Sequence, residues 1–174
     1  VTLYPPPSRK RPAKKPGKPA KPINWDKARL GDTYASASLP DMAGKPFTIQ
    51  TTVEIEPGKK PNGILLAHGG SAVGYALYAR DGTLFFALRL GTNAVQKIAF
   101  GSPGEKMEIT ARLTRETFSI QVGEKSVEAK SPGLLNKHPQ EDFCIGHDDK
   151  NPVDSEAPKS PINGVLSNLQ VTIR

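Results

Sequence analysis

The chain has 174 residues, with 24 basic and 17 acidic side chains, one cysteine and one tryptophan. That length suits one domain whose core needs neither disulfides nor a structural metal, and a lone Cys144 excludes an internal disulfide framework while leaving the compartment open. No apolar run approaches the roughly 18 residues that span a bilayer, and no apolar stretch follows the N-terminal basic residues as in a signal peptide; a targeting segment removed upstream is compatible with both.

Residues 1–30 read as a Pro/Lys-rich linker, extended or disordered. Prolines at 5, 6, 7, 12, 16, 19 and 22 alternate with basic residues and almost nothing apolar, so the segment cannot bury enough surface to offset its ordering entropy. Seven basic residues (Arg9, Lys10, Arg11, Lys14, Lys15, Lys18 and Lys21) fall within residues 1–22 without an acid, which leaves 17 basic against 17 acidic residues in the rest. The net positive charge therefore belongs to the tail. It reads either as an electrostatic arm for phosphate or acidic polysaccharide, or as a soluble spacer. Nucleic acid is not the expected partner, because stacking aromatics are missing from the tail apart from Tyr4.

From Gly31 to Arg174 the pattern has period two. Phe47, Ile49, Val53 and Ile55 alternate with Thr48, Gln50, Thr52 and Glu54, which predicts a half-buried strand ended by Pro57-Gly58. Pro61-Asn62-Gly63 turns the chain into Ile64–Ala67, and Gly69-Gly70 breaks that run. Tyr75–Arg80 meets Thr83–Leu90 across Asp81-Gly82, a two-residue hairpin signal. Further strands are predicted at Val95–Phe100, Lys106–Thr114, Thr117–Val122, Lys125–Lys130, Asp142–Gly146 and Gly164–Ile173. In the last, Val165, Leu169, Val171 and Ile173 are assigned to one face, and Asn168, Gln170 and Thr172 to the other. No window has helical spacing. Many short strands between turn signals predict an all-β, two-sheet antiparallel sandwich of jelly-roll type.

The hairpin sharpens this reading. A two-residue loop pairs Arg80 with Thr83, Tyr78 with Phe85, Ala76 with Ala87 and Gly74 with Arg89 on one face. Tyr75, Leu77, Ala79, Leu84, Phe86 and Leu88 form the opposite, core-facing side. The outer face thus carries Tyr78 and Phe85 flanked by Arg80 and Arg89. Two arrangements remain open: a platform for a sugar ring or anionic glycan, or a second covered face beneath a loop or neighbouring domain.

Catalytic patterns are missing. His68, His138 and His147 fall at strand ends or loops, no serine sits in a Gly-x-Ser-x-Gly elbow, and Cys144 in Phe143-Cys144-Ile145 reads as a packed thiol. One cysteine and three scattered histidines lack zinc spacing. Glu54 and Glu56 have the alternate spacing of paired glycanase acids, but Pro57 follows directly and they read as a solvated edge. Asp148, Asp149 and Asp154, with Glu156, form an oxygen-rich loop group of the kind calcium uses, beside the alternative of solvated loop acids. No other cofactor is expected.

Several segments together resemble the C-terminal β-sandwich of bacterial arylsulfatases. They are Asn62-Gly63-Ile64-Leu65-Leu66-Ala67-His68-Gly69-Gly70, Gly74-Tyr75-Ala76-Leu77-Tyr78-Ala79-Arg80-Asp81-Gly82, Ile145-Gly146-His147-Asp148, Asn151-Pro152-Val153 and Ile162-Asn163-Gly164-Val165-Leu166-Ser167-Asn168-Leu169-Gln170-Val171. The closing pattern is shared with laminin-G-like and concanavalin A-like jelly rolls, and the resemblance spans about Leu39 to Arg174. It implies a jelly roll attached to the end of a sulfatase catalytic domain, in a secreted or periplasmic protein, with the proline-lysine segment as spacer. It implies no active site here. The sulfatase signature requires Pro two residues after its Cys or Ser, whereas Cys144 is followed by Ile145-Gly146. Such relatives commonly carry Arg where His147 stands. The expected function is a non-catalytic, lectin-like accessory module that binds carbohydrate, including sulfated or acidic polysaccharide, or packs on a sulfatase catalytic domain. The alternatives are a purely structural or oligomer-forming sandwich, a small concanavalin-like glycan-active enzyme, and a polyanion binder acting through the tail.

Overall fold

The computed structural model describes residues 21–91, 94–101, 103–148 and 152–174. Eleven strands are present among the described residues: β1 (Thr33–Tyr34), β2 (Phe47–Ile55), β3 (Gly63–Gly69), β4 (Val73–Arg80), β5 (Thr83–Leu90), β6 (Gln96–Gly101), β7 (Lys106–Leu113), β8 (Thr117–Val122), β9 (Lys125–Lys130), β10 (Phe143–Ile145) and β11 (Gly164–Ile173). They form a six-stranded sheet in the order β1-β10-β3-β4-β5-β6 and a five-stranded sheet in the order β11-β2-β7-β8-β9. Every strand pair is antiparallel. The expected two-sheet jelly-roll sandwich is what the chain adopts, and every predicted strand is there. Only β1 had no signal, being two residues long.

Alternation on β2 puts Phe47, Ile49, Val53 and Ile55 between the sheets, opposite Tyr75, Leu77, Phe86 and Leu88 of the other layer. Phe47 meets Tyr75 and Phe86 at ring-centroid distances of 4.7 and 6.2 Å. Strands β3 and β4 are buried on both faces, so a second apolar cluster lies outside the six-stranded sheet. It joins Ile64, Ala67, Ala76, Tyr78 and Ala87 to Val153, with Phe85 and Ala157 packed against it. Cys144 is buried, its thiol directed at the Asp142 carbonyl at 3.9 Å.

Two features correct the sequence reading. In β11, Val165 is 67% exposed while Leu166 is 7% exposed. The cause is a bulge between Ser167 and Gln170, with Asn168 at φ 53°. One extra residue flips the side-chain alternation, so Val165 and Leu169 do not share a face. The bulge has a partner in the core: buried Thr51 donates its hydroxyl to the Ser167 carbonyl at 3.0 Å. The second correction concerns the linker. Its boundary, expected at Gly31, lies further upstream, because Ile23 and Ala28 belong to the main core and Trp25 and Leu30 pack on it. Trp25 opens a short 3-10 turn (Trp25–Lys27) capped by the Asn24 side chain, and meets Phe143 edge-on at 5.7 Å. Residues 1–20 lie outside the described residues.

The two long sides of the sandwich differ. On one, the segment from Ile23 to Leu30 lies by the β11 edge, and Gly31 donates its N–H to the Ile145 carbonyl of β10. On the other, β6 and β9 end their sheets, and β9 is exposed along almost its whole length.

Candidate functional site

The hairpin forms in the expected register, with Arg80 opposite Thr83, Tyr78 opposite Phe85, Ala76 opposite Ala87 and Gly74 opposite Arg89. Asp81 and Gly82 supply the positive φ values (49° and 85°) that a tight two-residue turn requires. Tyr78 and Phe85 stack at 5.1 Å with their planes 23° apart.

Of the two arrangements open at sequence level, the covered one occurs. A strap running from Pro152 to Pro161 crosses this outer face, and Tyr78 is 1% exposed beneath it. The Tyr78 hydroxyl donates to Asp154 Oδ2 at 2.6 Å, and Lys97 Nζ reaches the same oxygen at 3.2 Å and Glu156 Oε2 at 2.5 Å. Lys97 also sits 5.5 Å above the Phe85 ring. Arg89 Nε donates to the Val153 carbonyl at 2.8 Å, and an Arg80 guanidinium N–H donates to that of Glu156 at 3.2 Å. The four residues expected as a ligand platform are therefore brought together, but Tyr78 and Arg89 hold the strap. Arg80 remains exposed and Phe85 half-buried.

The acids expected as calcium ligands serve the same loop. Asp154 is buried; one oxygen receives Tyr78 and Lys97, and the other receives the Glu156 N–H at 3.0 Å. Burial alone would raise its pKa, but these donors outweigh that and hold it below the usual carboxylate range. For Lys97, burial works downward and is likewise overcome by Glu156 and Asp154, leaving its pKa raised. Asp148 accepts the Val153 N–H at 3.0 Å. Asp149 lies outside the described residues. A cation at Asp154 would have to displace a buried phenol and an ammonium, so this carboxylate does not fit a calcium site. Among the described residues, no three His, Cys, Asp or Glu side chains converge as a metal set.

A serine–histidine cluster is the arrangement closest to catalytic chemistry. His68, wholly buried in β3, has Nε2 at 2.8 Å from Ser36 Oγ and Nδ1 at 3.0 Å from the Tyr75 hydroxyl. The other histidine, His138, accepts the Met42 N–H on Nδ1 at 3.2 Å, so its Nε2 carries the proton and donates to the Ser36 carbonyl at 2.9 Å. Ser36 Oγ donates to the Pro139 carbonyl. That leaves it an acceptor for His68 Nε2–H, while Tyr75 donates to His68 Nδ1. A nucleophilic serine needs the reverse, a hydroxyl proton aimed at an unprotonated imidazole nitrogen. The cluster ties Ser36 and the Leu135–Pro139 loop to the six-stranded sheet. Burial, and then His138, lower the His68 pKa to about 3, so its ring stays neutral.

Two clefts combine polar and apolar linings. One, of about 380 Å³, lies under the strap and is lined by Ile64, His147, Asp148, Ser155, Pro158 and Lys159. His147 is fixed there by Nε2 at 2.9 Å from the Thr33 hydroxyl. The other, of about 650 Å³, runs between Trp25–Leu30 and the bulged stretch Gly164–Gln170. Sequence reading passed over Trp25 because it sat within the expected linker. The one usable signal was a lone tryptophan just past the last proline, preceded by Asn24 as a turn cap.

No family model matches the chain, and no curated protein does. Solved structures do match, and they share the laminin-G-like jelly-roll sandwich. The mouse laminin α1 chain, domains LG4-5, has TM-score 0.59 and 16% identity, over 84% of this chain and 40% of that one. The CBM40 of the Ruminococcus gnavus IT-sialidase has TM-score 0.57 and 12% identity, over 88% and 89% of the two chains. Botulinum neurotoxin type C, which depends on interaction with two ganglioside molecules to get into cells, has TM-score 0.55 and 11% identity, over 83% and 42%. The chain thus spans about 40% of the laminin and toxin chains it matches. No helix among the described residues is long and apolar enough to cross a membrane.

Proposed function

We propose that this chain is a non-catalytic, lectin-like accessory module that binds carbohydrate, sulfated or acidic polysaccharide included. It works beside a sulfatase-type catalytic domain in a secreted or periplasmic protein. The observation that carries the reading is the preorganised strap: three anchors, Tyr78–Asp154, Lys97–Glu156 and Arg89–Val153, fix it before any ligand arrives. A loop already ordered loses little entropy on binding, and the cleft beneath it offers an imidazole, a hydroxyl, an ammonium, the Asp148 and Asp154 carboxylates and apolar carbon at the size of a sugar unit. Tyr78 and Arg89 are positioning residues on this reading. His147 and Lys159, which line the cleft, touch the ligand. The carbohydrate and ganglioside associations of the structural neighbours and the directions of the Ser36–His68 hydrogen bonds both support it.

Affinity electrophoresis through gels containing dextran or carrageenan tests it. Retardation is expected in at least one gel, weakened by His147→Ala combined with Lys159→Ala. Unretarded migration in both gels and through a wider panel of neutral and sulfated polysaccharides would overturn carbohydrate binding. Turnover of an aryl sulfate by the purified chain would overturn the non-catalytic assignment.

A further inference from the structure

The cleft beside Trp25 has the chemistry of a sugar subsite. Its apolar carbon comes from the Trp25 indole, Leu30 and the exposed Val165, and its polar groups are Asp26, Arg29 and the amides of Asn168 and Gln170. A pyranose ring presents an apolar C–H face surrounded by hydroxyls, which such a mixture matches: an aromatic surface for the face, and carboxylate, guanidinium and amides for the rim. Asp26 and Arg29 cancel in charge, so the cleft favours an uncharged sugar unit over a polyanion. The β11 bulge contributes directly, since the bulged residues Asn168 and Leu169 both line the cleft.

Gly146, at φ 82°, connects this cleft to the one under the strap: a Cβ there would lie 3.0 Å from Leu30 Cδ2 and 3.5 Å from Pro161 Cβ. Leu30 lines the Trp25 cleft, and His147, the next residue after Gly146, lines the strap cleft. We infer that the Trp25 cleft is a second carbohydrate subsite, holding a neutral sugar unit of the same extended polysaccharide chain that enters the strap cleft. The inference rests on the carbohydrate reading above and adds to it a location, a platform residue and a chain-length requirement.

Trp25 is the sole tryptophan of the sequence, so indole emission reports on this cleft alone. The intact chain is titrated with disaccharides and longer oligosaccharides prepared from agarose and from carrageenan, following emission and, in parallel, heat. A saturable emission change with a longer oligosaccharide is expected, with affinity falling about tenfold or more in Asp26→Asn combined with Arg29→Gln, as loss of hydrogen bonds to charged groups implies. The disaccharides should bind more weakly than the longer chains. If a longer oligosaccharide binds by heat, yet emission is unmoved and the double variant binds as well as the parent, the subsite is overturned and the carbohydrate reading stands. If no saccharide gives heat or emission change, both fall.

Discussion

Replacing His68 with glutamine should flatten the pH dependence of stability. The buried ring stays neutral down to about pH 3, whereas a histidine in the unfolded chain protonates near 6.5. Because the folded-state pKa is lowered, the unfolded state binds more protons between these values. The stabilisation is therefore complete above pH 6.5 and is lost as pH falls. With one pKa unit worth about 1.4 kcal/mol, His68 alone removes about 2 kcal/mol between pH 7.5 and pH 5. The groups facing the ring are Tyr75, Ser36 and His138, the last at 5.4 Å between ring centroids. His68→Gln keeps the connections in principle, with its carbonyl accepting from Tyr75 and its amide donating to Ser36, but cannot titrate. Urea denaturation of both proteins at the two pH values isolates the effect, since His138 and His147 are common to both. The parent should lose about 2 kcal/mol more than the variant on acidification. Parallel losses, within about 0.5 kcal/mol, would refute the burial argument whatever the absolute stability of the variant.

Two further outcomes follow from the bulge and the strap. Leu166→Ala should destabilise by about 2 kcal/mol or more while Val165→Ala stays within about 0.5 kcal/mol, a contrast that reverses if β11 keeps unbroken alternation; chemical denaturation reads both. Tyr78→Phe removes the phenol that donates to buried Asp154 and should cost about 1–3 kcal/mol by the same assay, with the Asp154 pKa, followed by carbon-detected NMR titration, moving upward.

The strands were legible because each carries its own evidence: alternation on Phe47–Ile55, a turn dipeptide at Asp81-Gly82, and matching apolar sets on Tyr75–Leu77 and Leu84–Leu88. The β11 bulge was hidden because Val165 and Leu166 are both apolar, so composition does not reveal which one is inside. Asn168 was the available hint, since asparagine tolerates positive φ. The strap was invisible for a different reason. Its residues have no periodicity, and the pairing of Tyr78 with Asp154 joins positions far apart in sequence. The hairpin pattern nevertheless located the face that the strap covers. Trp25 was missed because proline and lysine dominate the residues before it, which drew the domain boundary too late.

The exposed edge at β9 has a consequence for how the module behaves in number. An uncapped strand edge offers free backbone groups to any passing strand, including the same edge on another copy. Here Lys125 and Lys130 stand at its two ends, exposed, with Glu128 between them. Two such edges brought together would have to desolvate those ammonium groups, and in some registers oppose them. The arrangement thus works against edge-to-edge pairing of two copies.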